Sequence, residues 1–231
     1  MALELYNSNW YFHDVLTEEE QETIRNDFSP FVDDDSNFEF HAEWDQQLRY
    51  TSNKQSYIPW DKYCYQLTRS FNLFTAEVGK KKEWTILPRS YWINKYYKGY
   101  NQGTQSHCDR KINLMMVYFY DMDENDTLGF RFHHQENTQY ETNGLAEFFD
   151  LPLNQIFVPE VQKGSLIIFP SHTSHFEMSY KGETPKVTFC TTMQVTTNRW
   201  PDEDKLAHLS DKEVIENPVL PMFPLEGWKY D

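Results

Sequence analysis

The feature that most restricts this chain is the succession of short apolar segments that begins after Glu83. "TILP", "SYWINKYY", "INLMMVYFY", "LGFRFHH", "QIFVPE", "SLIIF" and "KVTFCTTMQV" are rich in β-branched and aromatic residues and are divided by Gly, Asn, Asp or Pro. Segments of that kind at such intervals read as strands. Before them, "LTEEEQETIRNDF" reads as a helix. Its Thr17 and Glu20 have capping-box spacing, and acidic side chains crowd the first turn, where the helix dipole favours them. A second helix is expected from Trp60 to Val78, because Trp60, Cys64, Leu67, Phe71, Phe74 and Val78 recur at steps of three and four and form one apolar stripe. "GKKK" closes it, with Gly79 near the C-cap and three lysines facing the negative end of the dipole.

Helices followed by many strands predict a mainly β protein, a sandwich or jelly roll with helices packed on one sheet. The 231 residues suit a single domain. Within it, 1–82 forms an N-terminal helical and loop segment packing on the barrel, 83–197 the β core, and 198–231 a proline-rich tail that wraps the surface. The stretch from Asp33 to Gln55 has no clean period and reads as a surface excursion with a short strand at "NFEFH".

Composition narrows the function. A net charge of −15 opposes binding to a nucleic-acid backbone or an anionic membrane. No apolar stretch approaches the roughly 20 residues of a membrane span. The opening "MALELYNSNWYF" lacks the basic and apolar regions of a signal peptide. Cys64, Cys108 and Cys190 are widely spaced with no CxxC, which fits a reducing compartment. A cytoplasmic protein is expected, or a viral protein made in a host cytoplasm.

Two histidines in "SHTSHFEM", directly after "GSLIIFP", raise the question of a metal. A facial non-haem iron centre needs two imidazoles and one carboxylate with open positions opposite. On a strand, His-x-Asp supplies two of these from one side, because residues two apart face the same way. The dipeptide alone decides nothing, since His41-x-Glu43, His107-x-Asp109, His134-x-Glu136 and His175-x-Glu177 all have the form. Order along the chain is more telling. His107 and Asp109 stand just before one strand, and the paired histidines follow another several strands later.

That order resembles the Fe(II)- and 2-oxoglutarate-dependent dioxygenases, in particular their prolyl-4-hydroxylase-like branch. The similarity runs from about Trp84 to Val195. It consists of Tyr97 some ten residues before "HCD", the strands "MMVYFY" and "LGFRF", then "GSLIIFPSHTSH" and a basic residue, Lys186, eleven positions after His175. The resemblance implies a double-stranded β-helix of cupin type. It also implies iron held by His107, Asp109 and His175, the last chosen over His172 because it stands six residues after Phe169. The far carboxylate of 2-oxoglutarate would then pair with Lys186. Two features depart from the family pattern: Gly129 stands without a second glycine, and Lys186 replaces the commoner arginine. A lysine is a point charge rather than a fork, so a neighbouring hydroxyl, from Tyr118 or Tyr97, is expected to add the directional bond. Arg131 is a candidate for an acidic group on the substrate.

The residues around Lys186 support this independently. If Lys186 points inward, its strand carries Thr188, Cys190 and Thr192 on the same face and Val187, Phe189, Met193 and Val195 on the other. Small residues inward suit a ligand chamber, and bulky ones outward can meet the helical stripe. Cofactors implied are Fe(II), 2-oxoglutarate and dioxygen, with ascorbate as an accessory reductant. The implied reaction is hydroxylation of a protein side chain of the prolyl type, or of a small molecule. The segments Asp33 to Tyr57 and Asn137 to Asp150 are expected to act as lids. Two other readings fit the same residues: a non-catalytic jelly-roll binding or structural protein, and a cupin-type metalloenzyme that does not use 2-oxoglutarate.

Overall fold

The computed structural model describes residues 10–41, 48–50, 58–78, 84–107, 112–126, 129–134, 144, 147 and 156–197. The first helix, α1 (Glu18–Val32), starts where the capping box places it. The Glu20 N–H donates to Thr17 Oγ1 at 3.3 Å, and the Thr17 N–H donates to Glu20 Oε2 at 2.8 Å. The long apolar stripe forms two helices rather than one, α2 (Trp60–Gln66) and α3 (Thr68–Glu77), with Leu67 at the break. Both keep their buried side toward the same core, which takes in Cys64, Leu67, Phe71 and Phe74. The stripe fails only at its end, where Val78 is exposed. The "GKKK" closure and the tail beyond residue 197 lie outside the described residues, as does most of the second lid segment.

The strands are β1 (Phe12–Val15), β2 (Glu39–His41), β3 (Leu48–Tyr50), β4 (Trp84–Tyr96), β5 (Gln102–Gln105), β6 (Leu114–Asp121), β7 (Phe130–His133), β8 (Ile156–Phe157), β9 (Ser165–Pro170), β10 (Ser174–Glu177) and β11 (Lys186–Thr197). They form a seven-stranded sheet in the order β1-β9-β6-β11-β4-β3-β2 and a four-stranded sheet in the order β5-β10-β7-β8. Every pairing is antiparallel. "TILP" and "SYWINKYY" belong to one strand, which passes through Pro88 opposite a register shift in β11 between Thr192 and Met193. A bulge is where a strand tolerates the missing proline N–H. The N-terminal segment supplies strands as well as helices, because β1 joins β9 and β2 and β3 extend the sheet beyond β4.

Two apolar layers result. On the outer face of the large sheet, Phe28 of α1 meets Phe189 at 4.9 Å between ring centroids, and Trp60 stacks on Tyr91 at 5.0 Å. Between the sheets lie Met115, Val117 and Phe119 of β6, Ile167 and Phe169 of β9, Phe130 and Phe132 of β7, and Cys190 of β11. The architecture is a mainly β double-stranded β-helix, a jelly roll with its helices on one sheet. Among the described residues no helix is long and apolar enough to cross a membrane.

Candidate functional site

The chain leaves β5 at Gln105 and reaches His107, whose N–H donates to the Ser171 carbonyl at 2.8 Å. Ser171 opens the turn after β9, closed by a 2.9 Å bond from the Thr173 N–H to the Pro170 carbonyl. The turn feeds β10, where His175 lies opposite Gln105 on one side and Phe132 on the other. In this way residues 68 positions apart (175 − 107) meet: the His107 and His175 ring centroids are 5.5 Å apart. Phe169 at 5.1 Å and Phe130 at 5.7 Å wall the His175 ring, and Trp92 lies 5.7 Å from His107.

The protonation state follows from the partners. A carbonyl only accepts, so the 3.0 Å contact between His175 Nδ1 and the Thr173 oxygen puts the proton on Nδ1. His175 Nε2 then carries the lone pair and lies 3.2 Å from the Gln105 side-chain nitrogen, which can donate to it. Burial pushes the His175 pKa down to about 4 and lowers that of His107 as well, so both rings are neutral near pH 7. His107 Nε2 is buried and has no hydrogen-bond partner among the described residues. Two neutral imidazoles, one with its outer nitrogen fixed as a lone pair by a backbone carbonyl and one with an orphaned buried nitrogen, suit a divalent transition metal. Asp109, the expected carboxylate, lies outside the described residues, within which no group of three or more potential ligands occurs.

Two residues beyond His175 on the same face of β10 is Glu177, and across the chamber from it is Lys186 at the start of β11. Lys186 is fully buried, with Nζ 2.8 Å from Glu177 Oε1, 3.5 Å from Asp126 Oδ2 and 5.3 Å from the centre of the Phe119 ring. Burial pushes the Glu177 pKa up, against the pull of Lys186. The Glu177 carboxylate lies so close to β7 that a Cβ on Gly129 would come within 2.2 Å of Oε1 and 2.9 Å of Asp126 Oδ2. A side chain at the one glycine of "LGFRF" would therefore push the Glu177 carboxylate from its place. Opposite Lys186 in register stands Tyr96, whose hydroxyl donates to Gln102 Oε1 at 2.7 Å.

His107 and His175 are therefore neighbours, and Lys186 shares their inward side. Three expected residues point elsewhere, for reasons of strand parity. Tyr118 lies opposite Phe189 and packs beneath the helices, 6.0 Å from Tyr63, so it cannot assist Lys186. Tyr97 follows Tyr96 by one residue and sends its hydroxyl to Asp35 Oδ1 at 2.6 Å. Arg131 lies opposite Phe176, on the face of β7 turned away from Phe130 and Phe132. His133 shares that outer face opposite Ser174, and His172 is exposed in the turn. Tyr96, Glu177, Asp126 and Gln105 are the polar groups that sequence reasoning missed. A signal existed for Glu177, since the two-residue period places it beside His175.

Two antiparallel sheets, with His107 and His175 brought together where β5 meets β10, form a double-stranded β-helix. Among solved structures the chain is similar to AviO1 from Streptomyces viridochromogenes Tue57, with a TM-score of 0.57 and 10% identity over 80% of this chain and 90% of that one. It is also similar to the non-haem α-ketoglutarate-dependent epimerase SnoN of nogalamycin biosynthesis, with a TM-score of 0.57 and 10% identity over 96% and 87%. A prolyl-4-hydroxylase from Pseudomonas putida gives 0.51 and 8% over 81% and 93%. At such identities the likeness is one of fold. No protein-family model and no curated protein matches the sequence.

Proposed function

We propose that the protein is an Fe(II)- and 2-oxoglutarate-dependent oxygenase that hydroxylates a protein side chain of the prolyl type or a small molecule. The observation that carries this reading is the meeting of two neutral imidazoles, His107 and His175, on the inward side that also buries Lys186. His107, Asp109 and His175 hold the iron. When bound, the iron and 2-oxoglutarate supply activation of dioxygen coupled to oxidative decarboxylation. The chain's own residues do the rest. Thr173 fixes the His175 tautomer, so Nε2 carries a lone pair that a metal would take over from the Gln105 amide without a protonation cost. Phe130 and Phe169 keep water from the His175 ring. Lys186 presents a buried ammonium to the far carboxylate of the cosubstrate, next to Glu177, which stands two residues beyond His175 on β10.

The fold neighbours include an epimerase and a prolyl-4-hydroxylase, so the architecture does not select the substrate. The test is succinate formation on addition of Fe(II), ascorbate and 2-oxoglutarate. Turnover should appear in the wild type and vanish in His175→Ala and Asp109→Ala, with loss of iron binding. Wild-type rates in either variant would remove that residue from the site. One observation favours a second reading, a metal centre that works without 2-oxoglutarate: Lys186 already has a carboxylate partner.

A further inference from the structure

We infer that Glu177 is an internal competitor of the cosubstrate: its carboxylate occupies the position on Lys186 that the far carboxylate of 2-oxoglutarate needs, so Glu177 sets cosubstrate affinity and selectivity. This rests on the 2-oxoglutarate reading and deepens it. Lys186 Nζ has one acid at 2.8 Å, a second at 3.5 Å and an aromatic ring on another side, with no solvent exposure. Two carboxylates, Glu177 and Asp126, thus flank this one ammonium, with Arg131 acting on Glu177 from farther away. An incoming carboxylate would be the third beside one buried ammonium, where like charges repel far more strongly than in water.

Glu177 also has little room to withdraw toward β7, because its Oε1 already fills the space a side chain on Gly129 would take. Asp126 Oδ2, the more distant of the two acids, is buried and has no hydrogen-bond partner among the described residues. Seating 2-oxoglutarate therefore requires Glu177 to leave Lys186. A cosubstrate whose far end is neutral could enter without that exchange, with Glu177 and Lys186 still paired.

The experiment compares 2-oxoglutarate with 2-oxoglutaramate, in which an amide replaces the far carboxylate. Binding is measured anaerobically by calorimetry on the Ni(II)-loaded protein, so no turnover enters the readout. The wild type should bind the two about equally. Glu177→Gln should raise the preference for 2-oxoglutarate by about tenfold or more, as expected when a charged hydrogen bond is released to the ligand. Glu177→Leu should act in the same direction, and Lys186→Met should abolish the preference. A preference that stays unchanged or falls in both Glu177 variants overturns the inference and leaves the 2-oxoglutarate reading standing. Should neither variant fold, the wild type decides: parity supports the inference, and a tenfold preference for 2-oxoglutarate overturns it. If nickel binds but neither compound does in any variant, the 2-oxoglutarate reading itself fails and takes this inference with it.

Discussion

The two faces of β11 share one backbone and one set of ladder bonds, yet they are built for different ends. Toward the helices, Phe189 lies 4.9 Å from Phe28, 4.9 Å from Tyr120 and 5.3 Å from Tyr63, in a cluster completed by Val187 and Met193. Toward the small sheet, the same strand turns Lys186, Thr188, Cys190 and Thr192 inward, all buried. The outer face removes apolar area from water and so contributes stability. The inner face removes polar groups from water, which costs free energy unless each finds a partner. Such a face is better explained by what it must hold than by what keeps the protein folded.

The comparison can be broken most directly at Phe189. Phe189→Ala should cost about 3–5 kcal/mol in denaturant unfolding, since it opens a cavity at the centre of the aromatic cluster. A loss below about 1 kcal/mol would mean that the outer face is not the main support. On the inner face, Lys186→Met should cost about 3 kcal/mol, because Glu177 is left buried without its counter-ion. Lys186→Met/Glu177→Leu should recover most of that loss, and a double variant no more stable than the single one would refute the pairing.

The third effect is a pH dependence of the metal-free protein. The His175 pKa is about 4 in the fold against 6.5 for an ordinary histidine, so below pH 6.5 the unfolded chain takes up the proton first. Stability from this group is complete above pH 6.5 and is lost as the pH falls toward 4, by about 3 kcal/mol in all. His175→Phe should flatten that slope in thermal melts run with a chelator, and a slope that persists unaltered would assign it elsewhere. The smallest effect separates the faces least. Cys64 beneath the helices and Cys190 in the chamber both have thiol pKa values pushed up to about 12 by burial. Neither should be alkylated at pH 8 until the protein unfolds, as peptide mass spectrometry would record.

Much of the outer face could be read in advance. The capping box at Thr17, the stripe from Trp60 to Phe74 and the alternation along β11 all express apolar periodicity, which tertiary structure preserves because burial rewards it. The chamber was less legible. On β10, the inward positions are His175 and Glu177, so the apolar half of the expected alternation is missing from a strand that carries the site. The edge strand β5, "QGTQ", is polar and has no period to detect. Tyr97 and Tyr118 were each misjudged by a parity of one, because a tyrosine suits either side of a pleat and the sequence does not show which. Tyr96 takes the inward position instead, opposite Lys186.

The edge position of β5 has a consequence for loading. Among the described residues that strand pairs only with β10, at two rungs with a register slip between them, and is otherwise held by the Tyr96 hydroxyl on Gln102 and the bond from His107 to Ser171. His107 therefore hangs from a lightly fastened margin, while His175 is anchored between β5 and β7. An ion shared by the two rings would work as a rivet, joining the loosest border of the small sheet to its middle. Amides of β5 should then exchange with solvent more slowly once a metal is in place.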